Sequence, residues 1–400
     1  MSTQSSFSYE PPEIGNYALD AFGRQRVSQP FTQWSSKLIG DARPLFWDDQ
    51  EVSGGGTSSN YQINTSSVII GVSDGVAGKR VRQTKQRFDY LTAKSHQIFV
   101  TGTFRELADG ITREMVYFDG KNGIFLRIND SEIKLVKRSY VTGSMVDTEY
   151  AKVDWSLYPE VYMAPEKSII LTMDFEWLGV GSIRFGFVNN GIPEYVHQVN
   201  HANIESGVYM TTPNLPIRYS IENDGNGPDA TMECICSSVS SEGGADLVGG
   251  TRMLFNATHV DANAAGTTYA IIGYRLKPTH LDNVVKILTA SVANVQSGGF
   301  RWGLYLNPSV GDTFTYNDVA NTPVQVAYGA TANTITGGTP VYGDVVYAGG
   351  GNAGGNGRSS ITDLLYVGSF IDGTPDTMVL GVTPLSANED IYGTLNLSFS

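Results

Sequence analysis

"SIRFGFVNNGIPEYVHQV", residues 182–199, holds two β-type runs, 182–188 and 192–199, broken by the turn residues Asn189, Asn190 and Gly191. Within such runs apolar residues tend to alternate with polar ones, the mark of a strand with one buried face. The pattern recurs on both sides of this stretch, in "SVIIGV" (67–72), "QIFVTGTF" (97–104), "GIFLRI" (123–128), "SIILTMDFE" (168–176), "PIRYSIE" (216–222) and "ATMECICSSV" (230–239). Many short runs at close spacing predict an antiparallel β-sandwich, of the jelly-roll kind.

"SSEGGADLVGG" (240–250) marks the clearest boundary, and a second series follows it: "YAIIGYRL" (269–276), "FRWGLYL" (300–306), "PVYGDVVYA" (340–348), "DLLYVGSFI" (363–371), "TMVLGV" (377–382) and "IYGTLNLSF" (391–399). One segment departs from the pattern. In "THLDNVVKILTASVANV" (279–295) Leu281, Val284, Leu288, Val292 and Val295 fit a helical face behind a Thr279 cap, but β-branched residues crowd its second half. A short helical turn followed by a strand is expected there. At 400 residues the chain exceeds what one core usually serves. The expected organisation is all-β: an extended N-terminal arm (1–52), a first sandwich (53–243) and a second (244–400).

Composition agrees with this class. Charged residues make up 17% of the chain, with 45 Gly and 21 Tyr, a mix suited to turn-rich β structure. The net charge of −13 argues against nucleic acid as a partner, because neutralising phosphates needs an electropositive face. Cys234 and Cys236 alternate on one strand face and read as reduced core residues, since two thiols without a nearby histidine do not complete a zinc site. No metal and no cofactor is expected. The first residues lack a basic and then apolar leader, and no 18-residue apolar run follows. Cytoplasmic synthesis without membrane insertion is expected, so the sequons at Asn64, Asn256 and Asn396 carry little weight.

The lead, residues 1–50, contains Pro11, Pro12, Pro30 and Pro44 among Phe22, Phe31, Trp34, Phe46 and Trp47. Prolines favour an extended path and the rings want burial, as in an arm draped over something. "SGGGTSSN" (53–60) reads as a hinge.

Several motifs could carry chemistry, and each has a plainer reading. "GVSDG" (71–75) matches the G-x-S-x-G nucleophile elbow, but no helix follows Ser73, so a turn is expected. "GGGNAG" (349–354) matches a phosphate-loop spacing without a helix behind it and reads as a loop. Asp174 and Glu176 lie two apart on a strand, both on one face, where they could cleave a glycosidic bond beside Trp177; a solvated pair is the plainer expectation. His197 and His201 have helical metal spacing on an extended run, which separates them. Asp224, Asn226 and Asp229 offer oxygens on a turn, without the full ligand set of a calcium loop. Lys79, Arg80, Arg82, Lys85 and Arg87 form a local basic strip, read first as a solvated strand face and second as a dock for an acidic neighbouring subunit.

"DAFGRQRVSQPFTQWSSK" (20–37) resembles an N-terminal signature of tailed-bacteriophage structural proteins, in which Asp/Asn-Ala-Phe-Gly-Arg-x-Arg-Val-Ser precedes Pro-Phe/Tyr-Thr; it is matched from Asp20 to Thr32. "FDGKNGIFLRIND" (118–130), "IRFGFVNNGIPEYVHQVNHAN" (183–203) and "LPIRYSIEN" (215–223) are similar to strands of a lectin-like sandwich in those proteins, and the likeness runs on through residues 300–341. The resemblance implies a virion component, with copies of itself and other virion proteins as partners. It transfers no catalytic residue, and no enzyme is expected. Phe22, Arg24, Arg26, Phe31 and Trp34 are the expected docking residues, two arginines among aromatics being the mix of an interface anchor. Binding of a host-surface glycan through exposed aromatics is the alternative, and a polysaccharide depolymerase using Asp174 and Glu176 the more distant one.

Overall fold

The computed structural model describes residues 19–130, 132–243, 249–311, 313–347, 356–360 (backbone only) and 366–400. Among them there is no α-helix, and every strand pairing is antiparallel.

Strands up to Ser241 form two sheets. One has the order β13 (Ile192–Val199), β12 (Ile183–Asn189), β11 (Ser168–Phe175), β6 (His96–Thr103), β15 (Ala230–Ser241), β4 (Ser67–Val72), β3 (Thr57–Gln62). β1 (Phe31–Ser36) joins it as an eighth strand, pairing the second half of β15 beyond the stretch that pairs β4. The other sheet runs β10 (Val146–Ala151), β9 (Glu132–Ser139), β8 (Gly123–Asn129), β7 (Ile111–Phe118), β14 (Ile217–Asn223), β5 (Gly78–Thr84), β2 (Trp47–Gly54). Ile98, Leu171, Met173 and Phe185 from the first sheet meet Met115, Leu126, Tyr219 and Ile221 from the second in one core. Alternation then assigns Thr172, Asp174 and Arg184 to the outer face of the first sheet.

Strands from Gly250 onward form a second pair of sheets. The order is β16 (Gly250–Phe255), β28 (Glu389–Phe399), β19 (Val285–Asn294), β26 (Asn356–Ser360) in one, with β17 (Val260–Ala262) also on β28. In the other it is β22 (Asn317–Asp318), β23 (Val324–Tyr328), β18 (Tyr269–Leu276), β27 (Thr377–Pro384), β20 (Phe300–Leu306), β25 (Thr339–Val346). Tyr274, Trp302, Leu304 and Leu380 close a second core against Ile287, Leu395 and Leu397. A small ladder, β21 (Ser309–Val310) with β24 (Ile335–Thr336), lies beside it. The sandwiches are joined through Asp89, which accepts from Lys286 Nζ at 2.7 Å and Ser400 Oγ at 2.6 Å, and through Asp48, which accepts from the Ile371 N–H at 2.7 Å.

Three expectations change here. The segment read as an arm is partly sheet: β1 and β2 lie within it, and Trp34 and Trp47 are core residues. The glycine run read as a hinge is a corner at which the chain passes from β2 in one sheet to β3 in the other. Gly54 has φ 65°, and a Cβ there would meet the Ala77 carbonyl oxygen at 2.0 Å, so the corner requires glycine. Residues 279–295 follow the expected order, turns and then a strand, β19, whose pairing with β28 outweighs the helical periodicity. Of the expected strand 363–371, residues 363–365 lie outside the described residues; Tyr366 and Ser369 make only isolated bridges.

Candidate functional site

The lead begins its described course as a tight turn on the outer face of the first sheet. The Gly23 N–H donates to the Asp20 carbonyl at 3.0 Å, the Asp20 N–H to the Arg24 carbonyl at 2.8 Å, and Gly23 takes φ 75°. The Asp20 carboxylate accepts the Phe22 and Arg24 N–H groups at 2.9 and 2.8 Å, so one buried side chain organises the turn from inside.

This turn aims Arg24 and Arg26, two residues apart, at Glu176 and Asp174, also two residues apart. Arg24 Nη2 pairs with Glu176 Oε1, and Arg26 Nη2 with Asp174 Oδ2. Arg26 Nη1 reaches Glu242 at 2.7 Å, and its Nε donates to the Leu19 carbonyl at 3.0 Å. Asp174 also takes Arg184 and a 2.6 Å hydrogen bond from Ser95 Oγ, while Tyr90 OH donates to Glu176 Oε2 at 3.1 Å. The expectation of a solvated carboxylate pair is corrected: both are fully buried, because the N-terminal turn covers the face that alternation turned outward. Burial pushes the Glu176 carboxyl up to about 7, against the pull of Arg24 and the Tyr90 hydrogen bond. On the outside of the turn stand Phe22, 42% exposed, and Val27, 83% exposed. Phe31 pairs with Ser241 in β1, and Trp34 packs against Phe46, Trp47 and Phe88, its Nε1 donating to Ser237 Oγ at 2.9 Å.

The basic strip does not form one solvated face. Lys79 pairs with Glu222 at 2.8 Å and Arg80 with Asp49 at 2.6 Å. Arg82 is buried over Trp47, 4.8 Å from the ring centroid, and reaches Asp49 at 3.4 Å. Lys85 lies 4.4 Å from the Phe370 ring centroid, and Arg87 joins Asp119 at 2.7 Å and Asp282 at 3.3 Å. β5 is an interior strand of its sheet, so its two faces separate these cations, and the last two meet the second sandwich.

The other motifs resolve as follows. Ser73 Oγ donates to the Gly56 carbonyl at 2.8 Å within a turn. His197 lies 4.6 Å from the Tyr150 ring, and His201 stacks on Tyr209 at 3.9 Å, so each histidine has its own aromatic partner. Asp224 caps the Asn226 N–H at 2.8 Å, and Asp229 accepts the Asp74 N–H at 2.7 Å. Residues 349–354 lie outside the described residues. Cys234 is buried and Cys236 half-buried, and a bulge between Cys234 and Ser237 breaks the strand's register. Among the described residues His259, Asp261 and Asp390 come close enough for a cation, but Asp261 already accepts from Thr331 and Asp390 from Gln296.

Two features escaped sequence reading. Arg184 sits inside an apolar strand run, and only alternation marks its place on the outer face. Arg218 lines a cleft between the sandwiches together with Arg87, Asp119, Asp282 and Asp372. No local pattern brings residues 87, 218 and 372 together.

No family model matches this sequence, and no curated protein matches it. Similar solved structures include the carbohydrate recognition domain of Emp47p, 11% identical over 54% of this chain and 98% of that one, with a TM-score of 0.36. The VIP36 exoplasmic/lumenal domain in its Ca2+/Man3GlcNAc-bound form is 9% identical over 55% of this chain and 92% of that one, TM-score 0.32. The CBM2 module of the evolved Dit of Lactobacillus casei BL23 phage J-1 is 6% identical over 55% of this chain and 98% of that one, TM-score 0.37.

Proposed function

We propose that this chain is a non-enzymatic structural component of a tailed-phage particle, in which copies assemble around the N-terminal lead and carry the two sandwiches on the particle. The observation that carries this reading is the fit of residues 20–26, the first part of the stretch that resembles the phage signature, to a dedicated seat. Asp20 shapes the turn, and Arg24 and Arg26 fix it to Glu176 and Asp174. With the arginines engaged inside the chain, the docking role falls to the exposed Phe22 and Val27 on the outside of the turn.

The test is complementation of a phage lacking this gene with wild type or with a Phe22→Asp, Val27→Asp variant, followed by mass spectrometry of purified particles. The variant is expected to remain folded, since both side chains face water, and to be depleted from particles. Incorporation equal to wild type removes the lead from assembly, and absence of the wild-type chain from particles overturns the whole reading.

Host-glycan binding has its own observation. On the outer face of the six-stranded sheet a shallow groove of about 410 Å3 is lined by Tyr305, Arg301 and Asp344 beside the paired Gly303 and Gly343. A half-buried ring among polar groups suits stacking on a sugar. A glycan-array signal abolished by Tyr305→Ala supports it; a signal that survives the change places binding elsewhere.

A further inference from the structure

We propose that the cleft between the two sandwiches binds a small monocarboxylate, held by the guanidinium of Arg218. The site is independent of the assembly role. Its volume of about 310 Å3 lies at the small end of ligand sites, which span roughly 300–1,000 Å3. Its walls come from both sandwiches: Arg87, Asp119 and Arg218 from one, Leu281, Asp282, Phe370 and Asp372 from the other.

Arg218 projects from the face of β14 opposite Ile217 and Tyr219, which are in the core. Its Nε is buried without a hydrogen-bond partner, and among the described residues no carboxylate pairs with its guanidinium, which lies 5.5 Å from the Phe118 ring centroid. The nearest acids are engaged. Asp119 is held by Arg87 and by the N–H groups of Lys121 and Asn122 at 2.7 and 2.8 Å, and Asp282 also faces Arg87. Burial, with Arg138 and Arg87 nearby, pushes the Arg218 guanidinium down to about 10, and Asp119 and Glu114 only partly oppose it.

A planar carboxylate suits this site, because its two oxygens match the fork of the two outer guanidinium nitrogens, which are not shut away as Nε is. A single negative charge fits better than a phosphate's two, since Asp119, Asp282 and Asp372 line the same cleft and repel each added charge. Leu281 and Phe370 give the organic body of the ligand an apolar wall.

The test is calorimetric titration of the full chain with glucuronate and with benzoate, against glucose as the neutral control and inorganic phosphate as the rival anion. At least one acid is expected to bind where glucose does not. Arg218→Gln should weaken it about tenfold or more, the cost of one charge-assisted contact. The same change should leave the ligand-free Tm nearly unchanged, because among the described residues no carboxylate pairs directly with this guanidinium. Arg218→Lys keeps the charge without the fork and should fall between the two. Binding by glucuronate alone identifies a sugar acid, and by benzoate alone a free organic acid. No binding by either acid, tighter binding of phosphate, or unchanged binding in both Arg218 variants overturns the proposal.

Discussion

Arg26 of the lead closes on Asp174, a fully buried carboxylate of β11 that Arg184 and Ser95 approach from its own sheet. The two arginines are not equivalent partners of this acid, because one belongs to the sandwich and the other arrives with the N-terminal turn. Arg26→Ala leaves Asp174 with Arg184 and Ser95 and should cost about 1.5–3 kcal/mol, the range for a hydrogen bond to a charged group. Asp174→Ala removes the acid that Arg184 and Arg26 share, leaves Arg26 with Glu242, and should cost about 3–5 kcal/mol. Urea unfolding of both variants checks this order, and a larger loss for Arg26→Ala would contradict it.

Glu176 sets a pH dependence. An ordinary glutamate titrates near 4.5, and burial raises this one to about 7. Between those values the folded chain holds a proton that the unfolded chain has released. Its contribution is therefore complete below about pH 4.5 and lost as pH rises through 7, amounting to about 3 kcal/mol at most. His96, pushed down to about 4 by burial, acts in the opposite sense: its contribution is present above 6.5 and lost as pH falls through 4. The measurement is therefore the difference between wild type and Glu176→Gln from pH 5 to 8. Wild-type stability should decline relative to the variant across that window, and parallel curves would refute the assignment.

Trp34 ties the lead to the first core. Trp34→Ala removes its contacts with Phe46, Trp47 and Phe88 and leaves Ser237 without its donor, at an expected cost of about 3–5 kcal/mol. A truncated chain beginning at Gly54 should fail to fold for the same reason, since it lacks β1 and nearly all of β2 as well. Circular dichroism and thermal melting check both, and a cooperative melt of the truncated chain at the wild-type Tm would show that the lead is dispensable.

Asp89 holds the sandwiches together through Lys286 and Ser400. Asp89→Ala removes both contacts and should cost about 2 kcal/mol. Its distinctive effect should be faster limited proteolysis that releases the two sandwiches as separate fragments. Unchanged cleavage would mean that the rest of the junction suffices.

The sequence by itself determined the β class and many of the strands. "SVIIGV", "IPEYVHQV", "YAIIGYRL" and "FRWGLYL" coincide with β4, β13, β18 and β20, because burial of one strand face is a local, period-two property of the chain. Strands rich in charged residues carry a weaker signal: β5 in "GKRVRQT" is legible only as a charged strand face, and β9 in "EIKLVKRS" is not among the predicted runs. Their cations find partners on neighbouring strands, so the run itself carries little apolar signal. Only the tertiary structure decided which outward residues meet water. Alternation placed Asp174 and Glu176 together on one face, but a segment far away in sequence covers that face and buries them. It also decided that Arg218 and Asp372 line one cleft. Both outcomes depend on long-range pairing, in which burial and counter-charge are supplied by residues that no local spacing identifies.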